Sequence, residues 1–240
     1  MHQFDTQLAR SETIAEGTMA FHFVKPDGFR FTAGNAVDVT LVDPPRTDGK
    51  GDRRTFSIVS APSENVVTFA TRMRDSAFKG VLRSASAGTR VRLAEPSGEF
   101  TLDLGDLRPA VFLAGGIGVT PFVSMSRYAA NERLARPIWL FYSNRRPEDA
   151  PFLHELTGLE RRNPNYRCVP TMTGMENSAQ IWSGERGFVD WAMLQRHLGK
   201  LSAAVYFIAG PPAMVEAMQQ MLAAAGVGAE AVRTDEFYGY

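Results

Sequence analysis

Apolar positions run through this chain in two rhythms. In the first, short alternating runs, TMAFHFV (18–24), NAVDVTL (35–41), TFSIVSA (55–61), VVTFATRM (66–73) and RVRLAE (90–95), are separated at close intervals by Gly, Pro, Asp and Ser. That spacing predicts a small antiparallel barrel or sandwich over residues 1–106. In the second, from residue 110, continuous apolar runs alternate with longer segments of helical period: AVFLAGG (110–116), IWLFYSN (138–144), YRCVPTMT (166–173), AVYFIAG (204–210) and AVRTDEF (231–237). Strands without polar alternation, separated by helices, predict a parallel sheet covered on both faces over residues 107–240. The plainest helix begins at PPAMVEAMQQMLAAAG, with Met214, Ala217, Met218, Met221 and Leu222 on one stripe and Gly226 as a stop. The segment LGDLRPA (104–110) is the expected junction, and two closely joined domains place a ligand between them.

Composition narrows the function. The 240 residues carry 26 Lys and Arg against 26 Asp and Glu, 13 basic and 14 acidic of them before residue 107, so neither half is a polyanion-binding arm and nucleic acid is not expected as a partner. A single cysteine, Cys168, excludes a disulfide within the chain and any thiolate iron–sulfur cluster carried by it, and points to a reducing compartment. The first residues, MHQFDTQLARSETIAEG, lack the apolar core of a signal peptide, and no apolar run approaches the roughly 20 residues of a membrane span. A soluble, cytoplasmic protein is expected.

Candidate chemistry gathers at strand ends. The first parallel strand runs into GGIGVTP, Gly115 to Pro121, and then a helix. Such a turn offers free backbone N–H groups and a helix dipole to a phosphate, although Pro121 stands where the usual dinucleotide fingerprint has a third glycine, and a turn that only packs strand on helix would read the same way. Gly210, Pro211 and Pro212 repeat the arrangement after a later strand, at the sheet edge where open α/β sheets bind ligands. After the second strand, Ser143 precedes Arg145 and Arg146, guanidinium groups placed to read a 2′-phosphate; this favours NADPH and leaves NADH open. In the first half, two arginines head the strand RRTFSIVSAP (53–62).

The segments RTFS, GGIGVTP, AGPPAM and EFYGY occur in the order found in the ferredoxin-NADP reductase family of flavoproteins, which the chain resembles over nearly its whole length. The resemblance implies an antiparallel Greek-key β-barrel that binds FAD, a Rossmann-like α/β domain that binds NAD(P)H, and a flavin ring held where they meet. It assigns Arg54 to the FAD pyrophosphate, Phe56 to the flavin or its ribityl chain and Ser57 to the neighbourhood of flavin N5, with Thr55 between them. Strand alternation puts 54 and 56 on one face and 55 and 57 on the other, so twist, a bulge or the wrapping of the ligand must bring Arg54 and Ser57 to one molecule. In TRMRDSAFKGVLRS, Arg72 would face the flavin or its phosphates, and Lys79, Gly80, Val81 and Leu82 would open a short helix whose amides meet the pyrophosphate. Six basic residues between 72 and 92 stand against Asp75 alone, an excess that suits FAD phosphates, an acidic partner or a solvated face. Gly115, Gly116, Gly118, Thr120 and Pro121, with Gly210, Pro211 and Pro212, would hold the nicotinamide dinucleotide. At the C-terminus an aromatic would cover the flavin face where nicotinamide docks; Phe237 is preferred, with Tyr238 and Tyr240 able to serve, and Ser57, Glu236 and Phe237 are the candidate catalytic residues. One departure stands out: the family's cysteine before Gly-Pro-Pro is Ala209 here.

Other chemistries find no support. His2, His22, His154 and His197 show no metal-ligand spacing, and no G-x-S-x-G elbow presents a nucleophile. The expected reaction is hydride transfer from NADPH to FAD, followed by passage of electrons to a separate protein, ferredoxin or flavodoxin. A reductase serving an oxygenase, a free-flavin reductase using NADH, and a flavin- and nucleotide-binding subunit of a larger electron-transfer complex are the alternatives.

Overall fold

The computed structural model describes residues 2–199 and 203–237. Six strands form an antiparallel sheet: β1 (Gln3–Ala15), β2 (Thr18–Val24), β3 (Ala36–Leu41), β4 (Arg53–Ser57), β5 (Val66–Arg72) and β6 (Arg90–Ala94), in the spatial order β4-β3-β6-β1-β2-β5. The sheet curls until its two edges meet: Val59, just past β4, donates its N–H to Thr68 of β5 at 2.7 Å, and the Phe56 ring lies on Phe69 with centroids 4.3 Å apart. Strand β1 makes the curl by serving two neighbours, pairing Gln3–Gln7 with β6 and Leu8–Ala15 with β2 across two register shifts. Its burial alternates weakly, with only Leu8 fully buried, so it carries little of the apolar rhythm of the other strands. Inside the curl Phe21, Phe23, Phe29, Phe69 and Phe78 are all buried. The helix α1 (Ala77–Ser84) closes one end with Phe78, Val81 and Leu82.

The second sheet contains β7 (Ala110–Gly115), β8 (Ile138–Asn144), β9 (Tyr166–Met172), β10 (Glu185–Arg186), β11 (Val205–Gly210) and β12 (Val232–Glu236). Its order is β10-β9-β8-β7-β11-β12 and every pairing is parallel. Helices α2 (Thr120–Asn131), α3 (Leu153–Gly158), α4 (Trp191–Leu198) and α5 (Pro212–Ala224) supply the crossovers. The chain winds outward first through β8 and β9 and then, from the other side of β7, through β11 and β12, which makes the gap between β7 and β11 the topological switch point.

The helix α2 joins the two sheets. Every residue from Thr120 to Ser126 is buried, because one side of the helix lies on the parallel sheet and the other meets the antiparallel one. Phe122 stacks on Phe112 of β7 at 4.7 Å and packs in the same apolar cluster as Ala20, Val59 and Ala70. Polar ties reinforce the seam: Ser124 donates to the Ser60 carbonyl at 2.7 Å, and the Arg127 guanidinium bonds both oxygens of Glu155, at 2.6 and 2.9 Å, with Glu64 of the first sheet 3.4 Å away.

Candidate functional site

Strand β4 sends Arg54 and Phe56 to the α1 side, as alternation requires, and Thr55 to the other, where its hydroxyl donates to the Asp38 carboxylate. Arg53 also pairs with Asp38, at 3.2 Å, so the two adjacent arginines serve opposite faces. The Arg54 guanidinium lies 5.2 Å from the Phe78 ring centroid, and its Nη1 donates to the carbonyls of Lys50, Gly51 and Arg53. Its Nη2 reaches Asp48 Oδ1 at 3.4 Å. Ser57, opposite Ala36, is buried at the end of the strand.

At the start of α1, Ser76 accepts the Lys79 amide at 3.2 Å and Asp48 Oδ2 accepts the Ala77 amide at 2.9 Å. These helix-end amides, expected to face a pyrophosphate, are thus bonded to groups of the chain itself. Val81 and Leu82 turn their side chains into the barrel core, because the helix needs an apolar face there, and only their backbone is left to meet a ligand. Lys79 donates to the Arg72 carbonyl at 2.7 Å. Burial, then the nearby charges of Arg74, Arg54 and Lys50, hold its ammonium below the usual lysine range. Beside the helix opens a cavity of about 400 Å³ lined by Arg46, Arg74, Arg83, Ser76, Gly80 and Ser84 among others, with the Arg46 guanidinium lying over Gly80. The Arg72 side chain points away from it, across the seam, to the Asp149 carbonyl at 3.5 Å.

The second cluster lies at the switch point. After Gly115 the chain makes a 3₁₀ turn, Gly116–Val119, and enters α2. A Cβ on Gly118 would sit 2.5 Å from the Ala209 carbonyl oxygen and 2.7 Å from the Gly210 Cα, so only glycine lets this turn close on the end of β11. The Thr120 hydroxyl is committed to the Ile117 carbonyl at 3.0 Å, and Pro121 is buried in the first turn of α2; both shape the turn. Gly210 and Pro211 lead into α5, with Pro212 as its first residue, and the Met214 sulfur packs against both Gly115 and Gly210.

At the end of β8, Ser143 is half-buried opposite Gly115. Its neighbour Asn144 is buried with neither the oxygen nor the nitrogen of its side-chain amide hydrogen-bonded. Arg145 is exposed and makes no ion pair with any described residue. Arg146 differs from its expected role. Its guanidinium bonds both oxygens of Asp149, at 2.7 and 2.9 Å, and Glu16 of the β1–β2 turn at 2.8 Å. The Asp149 hydrogen bond chiefly raises its pKa further, and a side chain so engaged ties the two sheets together. Of the two arginines expected to read a phosphate at this strand end, Arg145 is the one with no carboxylate among the described residues holding its guanidinium.

Strand β12 runs beside β11 and brings Phe237 to the seam, where its N–H donates to the Gly210 carbonyl at 3.0 Å and its ring packs on the shared apolar core. Glu236 is exposed opposite Gly210. Tyr238 and Tyr240 lie outside the described residues. Cys168, in β9, is half-buried beside Tyr166, and lost hydration pushes its thiol up to about 12, so it is no nucleophile. Sequence reasoning did not find Asp48, Arg46, Asn144 or the Glu16–Arg146–Asp149 tie; Asp48 sits in TDGK, which reads only as a turn.

Residues 112–220 match the model of the oxidoreductase NAD-binding domain family. Ferredoxin–NADP reductase B of Sorangium cellulosum is 31% identical over 214 residues, which cover 88% of this chain and 83% of that protein. The chain belongs to the ferredoxin-NADP reductase family. It is a flavoprotein oxidoreductase of that family with the expected two-part fold. The reductase component of propane 2-monooxygenase from Rhodococcus jostii is 25% identical over 97% of this chain, which spans 63% of that longer protein. Among solved structures, a ferredoxin NADP+ reductase from Neisseria gonorrhoeae with bound FAD and NADP superposes with a TM-score of 0.80 at 20% identity, over 98% of this chain and 99% of that one. Among the described residues no helix is long and apolar enough to cross a membrane, and no cluster of His, Cys, Asp or Glu could hold a metal ion.

The residues present fit the family's two cofactors. Three arginines, Arg46, Arg74 and Arg83, and the hydroxyls of Ser76 and Ser84 line the α1 cavity against the single acid Asp75, a donor set suited to a diphosphate. The glycine turn at Gly118, packed too closely for a Cβ, sits at the strand ends with the open amide of Asn144 nearby in the same edge.

Proposed function

We propose that this reductase takes a hydride from NADPH onto FAD and delivers electrons to a separate redox protein, a ferredoxin or a flavodoxin. The observation that carries the reading is the pairing of an arginine-rich pocket beside α1 in the first half with a glycine-lined switch point in the second. FAD, when bound, supplies the exchange between a two-electron hydride and single electrons. Residues 1–106 hold it: Arg54, Lys79 and Arg74 face the diphosphate, and Phe56 supports the ring through its stack on Phe69. Ser57, buried at the strand end, offers a hydroxyl to the reacting edge of the ring. Residues 107–240 hold the dinucleotide: the Gly116–Thr120 turn and Gly210 approach its pyrophosphate, and Arg145 binds the 2′-phosphate. Phe237 keeps the nicotinamide face covered and water out, and Glu236 stands beside it. No side chain transfers the hydride; the protein positions its partners.

The oxygenase reductase components among the relatives support a second reading, in which the acceptor is an oxygenase. Cytoplasmic location belongs to the proposal, since an electron carrier of this kind needs a soluble partner. The test is spectroscopic. The purified chain should be yellow and its flavin absorbance should bleach anaerobically on adding NADPH; a chain unable to bind flavin defeats the proposal. Arg145→Ala should lower the preference for NADPH over NADH by about tenfold, the worth of one charge-assisted contact. Arg146→Ala should leave the ratio unchanged. An unaltered ratio in both variants removes the 2′-phosphate assignment.

A further inference from the structure

The loop of residues 42–52, between β3 and β4, lies over the start of α1 and carries two charged side chains onto it. One is Arg46, over Gly80. The other is Asp48, whose two carboxylate oxygens divide their work: Oδ2 takes the Ala77 amide at 2.9 Å, while Oδ1 takes the Lys50 amide at 2.9 Å and faces Arg54 at 3.4 Å. A carboxylate that touches a guanidinium and a helix N-terminal amide together makes the two contacts that a phosphate oxygen would make there.

The electrostatics of the patch favour a ligand of greater charge. Arg54, Arg74, Lys50 and Lys79 crowd the end of α1, and their mutual repulsion is felt by Lys79. Asp48 is one negative charge among them, and the backbone hydrogen bonds from Ala77 and Lys50 hold its carboxyl below the usual range. A diphosphate brings two charges to the same donors, and so relieves repulsion that a single carboxylate leaves in place.

The loop is pinned at its base and turned sharply at both ends. Its base is fixed where the Leu41 amide bonds the Asp52 carbonyl at 3.0 Å, and each end has one residue in the left-handed region, Asp43 with φ 47° and Gly51 with φ 72°. Asp43 is not a glycine, so that turn is strained. Pro44 and Pro45 fix the backbone just after Asp43, and Arg46 and Asp48 follow within three residues on the same arm of the loop.

We propose that the 42–52 loop is a latch, in which Asp48 holds the diphosphate site and is displaced when FAD binds. This rests on the flavoprotein reading above. The latch makes flavin loading a two-step event: the loop opens, carrying Arg46 off Gly80, and the diphosphate then takes the Ala77 amide and Arg54. It also keeps Arg54 and its neighbours from binding other anions by default.

The test uses the full chain, stripped of flavin and titrated with FAD by quenching of flavin fluorescence, with inorganic pyrophosphate as competitor. Asp48→Asn keeps an acceptor for Ala77 and loses the charge; it should bind FAD about tenfold more tightly than the unchanged chain, with stronger competition by pyrophosphate. In stopped-flow mixing, the association rate of the unchanged chain should level off with rising FAD, as loop opening becomes limiting, and that of Asp48→Asn should stay linear. Equal or weaker FAD binding by Asp48→Asn, or a linear rate in the unchanged chain, overturns the latch while leaving the flavoprotein reading in place. Failure of the unchanged chain to bind either FAD or pyrophosphate overturns that reading itself.

Discussion

Replacing Gly118 with alanine tests whether the switch-point turn does its work through close packing. The added methyl would meet three backbone atoms: the Ala209 oxygen at 2.5 Å, the Ala209 carbonyl carbon at 2.6 Å and the Gly210 Cα at 2.7 Å. Comfortable contacts between such atoms lie at about 3.5 Å, so the turn and the end of β11 must separate by close to 1 Å. Neither can yield cheaply. Ala209 is paired with Ala114 on one side and Asp235 on the other, and the Gly210 carbonyl holds the Phe237 amide. Overpacking of this kind costs about 2 kcal/mol, which for a chain of this size lowers Tm by about 4–8 °C. The functional loss should be larger in proportion. A displacement of about 1 Å between reacting groups can cost 100-fold in rate, and here it would act on the Gly116–Thr120 turn and on Phe237 together. Stopped-flow measurement of anaerobic flavin reduction by NADPH, beside a melting curve, gives both quantities. As a control, a Cβ on Gly158, at the end of α3, meets nothing closer than Arg161 at 3.4 Å, so Gly158→Ala, matched for handling and flavin content, should leave the rate unchanged. If Gly118→Ala melts and reduces like the unchanged chain, close packing at the turn is not what positions the dinucleotide.

Three further outcomes follow from the seam and the buried polar groups. Arg127→Met removes the guanidinium shared by Glu155 and Glu64; since both carboxylates keep some contact with water, the loss should be about 2 kcal/mol, read as a lower urea midpoint, and no loss would make the tie ornamental. The His22 imidazole, held by Thr68 and Glu12 at 2.9 Å each, lies below its ordinary value of 6.5 chiefly because it is buried. The unfolded chain therefore binds a proton that the folded one refuses, and stability should fall as pH drops below about 6.5 and level off beneath the folded value. His22→Gln should flatten that decline in urea titrations across the range, and an unchanged slope would assign it to other groups. Cys168, half-buried with its thiol pushed up to about 12, should stay unmodified by an alkylating reagent at pH 8 until denaturant is added; prompt labelling of the folded chain would contradict the raised thiol value.

Most of the strand framework was legible because ten of the twelve strands carry an apolar rhythm. Strand β1 escaped notice because it lies mostly exposed and alternates polar with polar, its length being dictated by two neighbours rather than by a buried face. The two-residue β10 carries no pattern at all. At the site, the same distinction holds. Glycine turns announce themselves locally, and the alternation of 53–57 fixes which face each residue takes. What the alternation lacks is the identity of the partner. Arg145 and Arg146 look alike in a row of letters, and only the fold brings Glu16, from the far end of the chain, onto one of them. Likewise, Lys79 to Leu82 read as one basic and apolar cluster, yet helical geometry divides them between pocket and core.

The burial of Thr120–Ser126 of α2 between the two sheets has a consequence for how the molecule can be taken apart. A cut near residue 106 would strip Phe122 and its neighbours of half their covering and leave an apolar face on each fragment. The two halves, whatever each binds, therefore do not divide the labour of folding. Heat capacity should show one transition for the intact chain, and the parts, made separately, should recover their shape only in each other's presence.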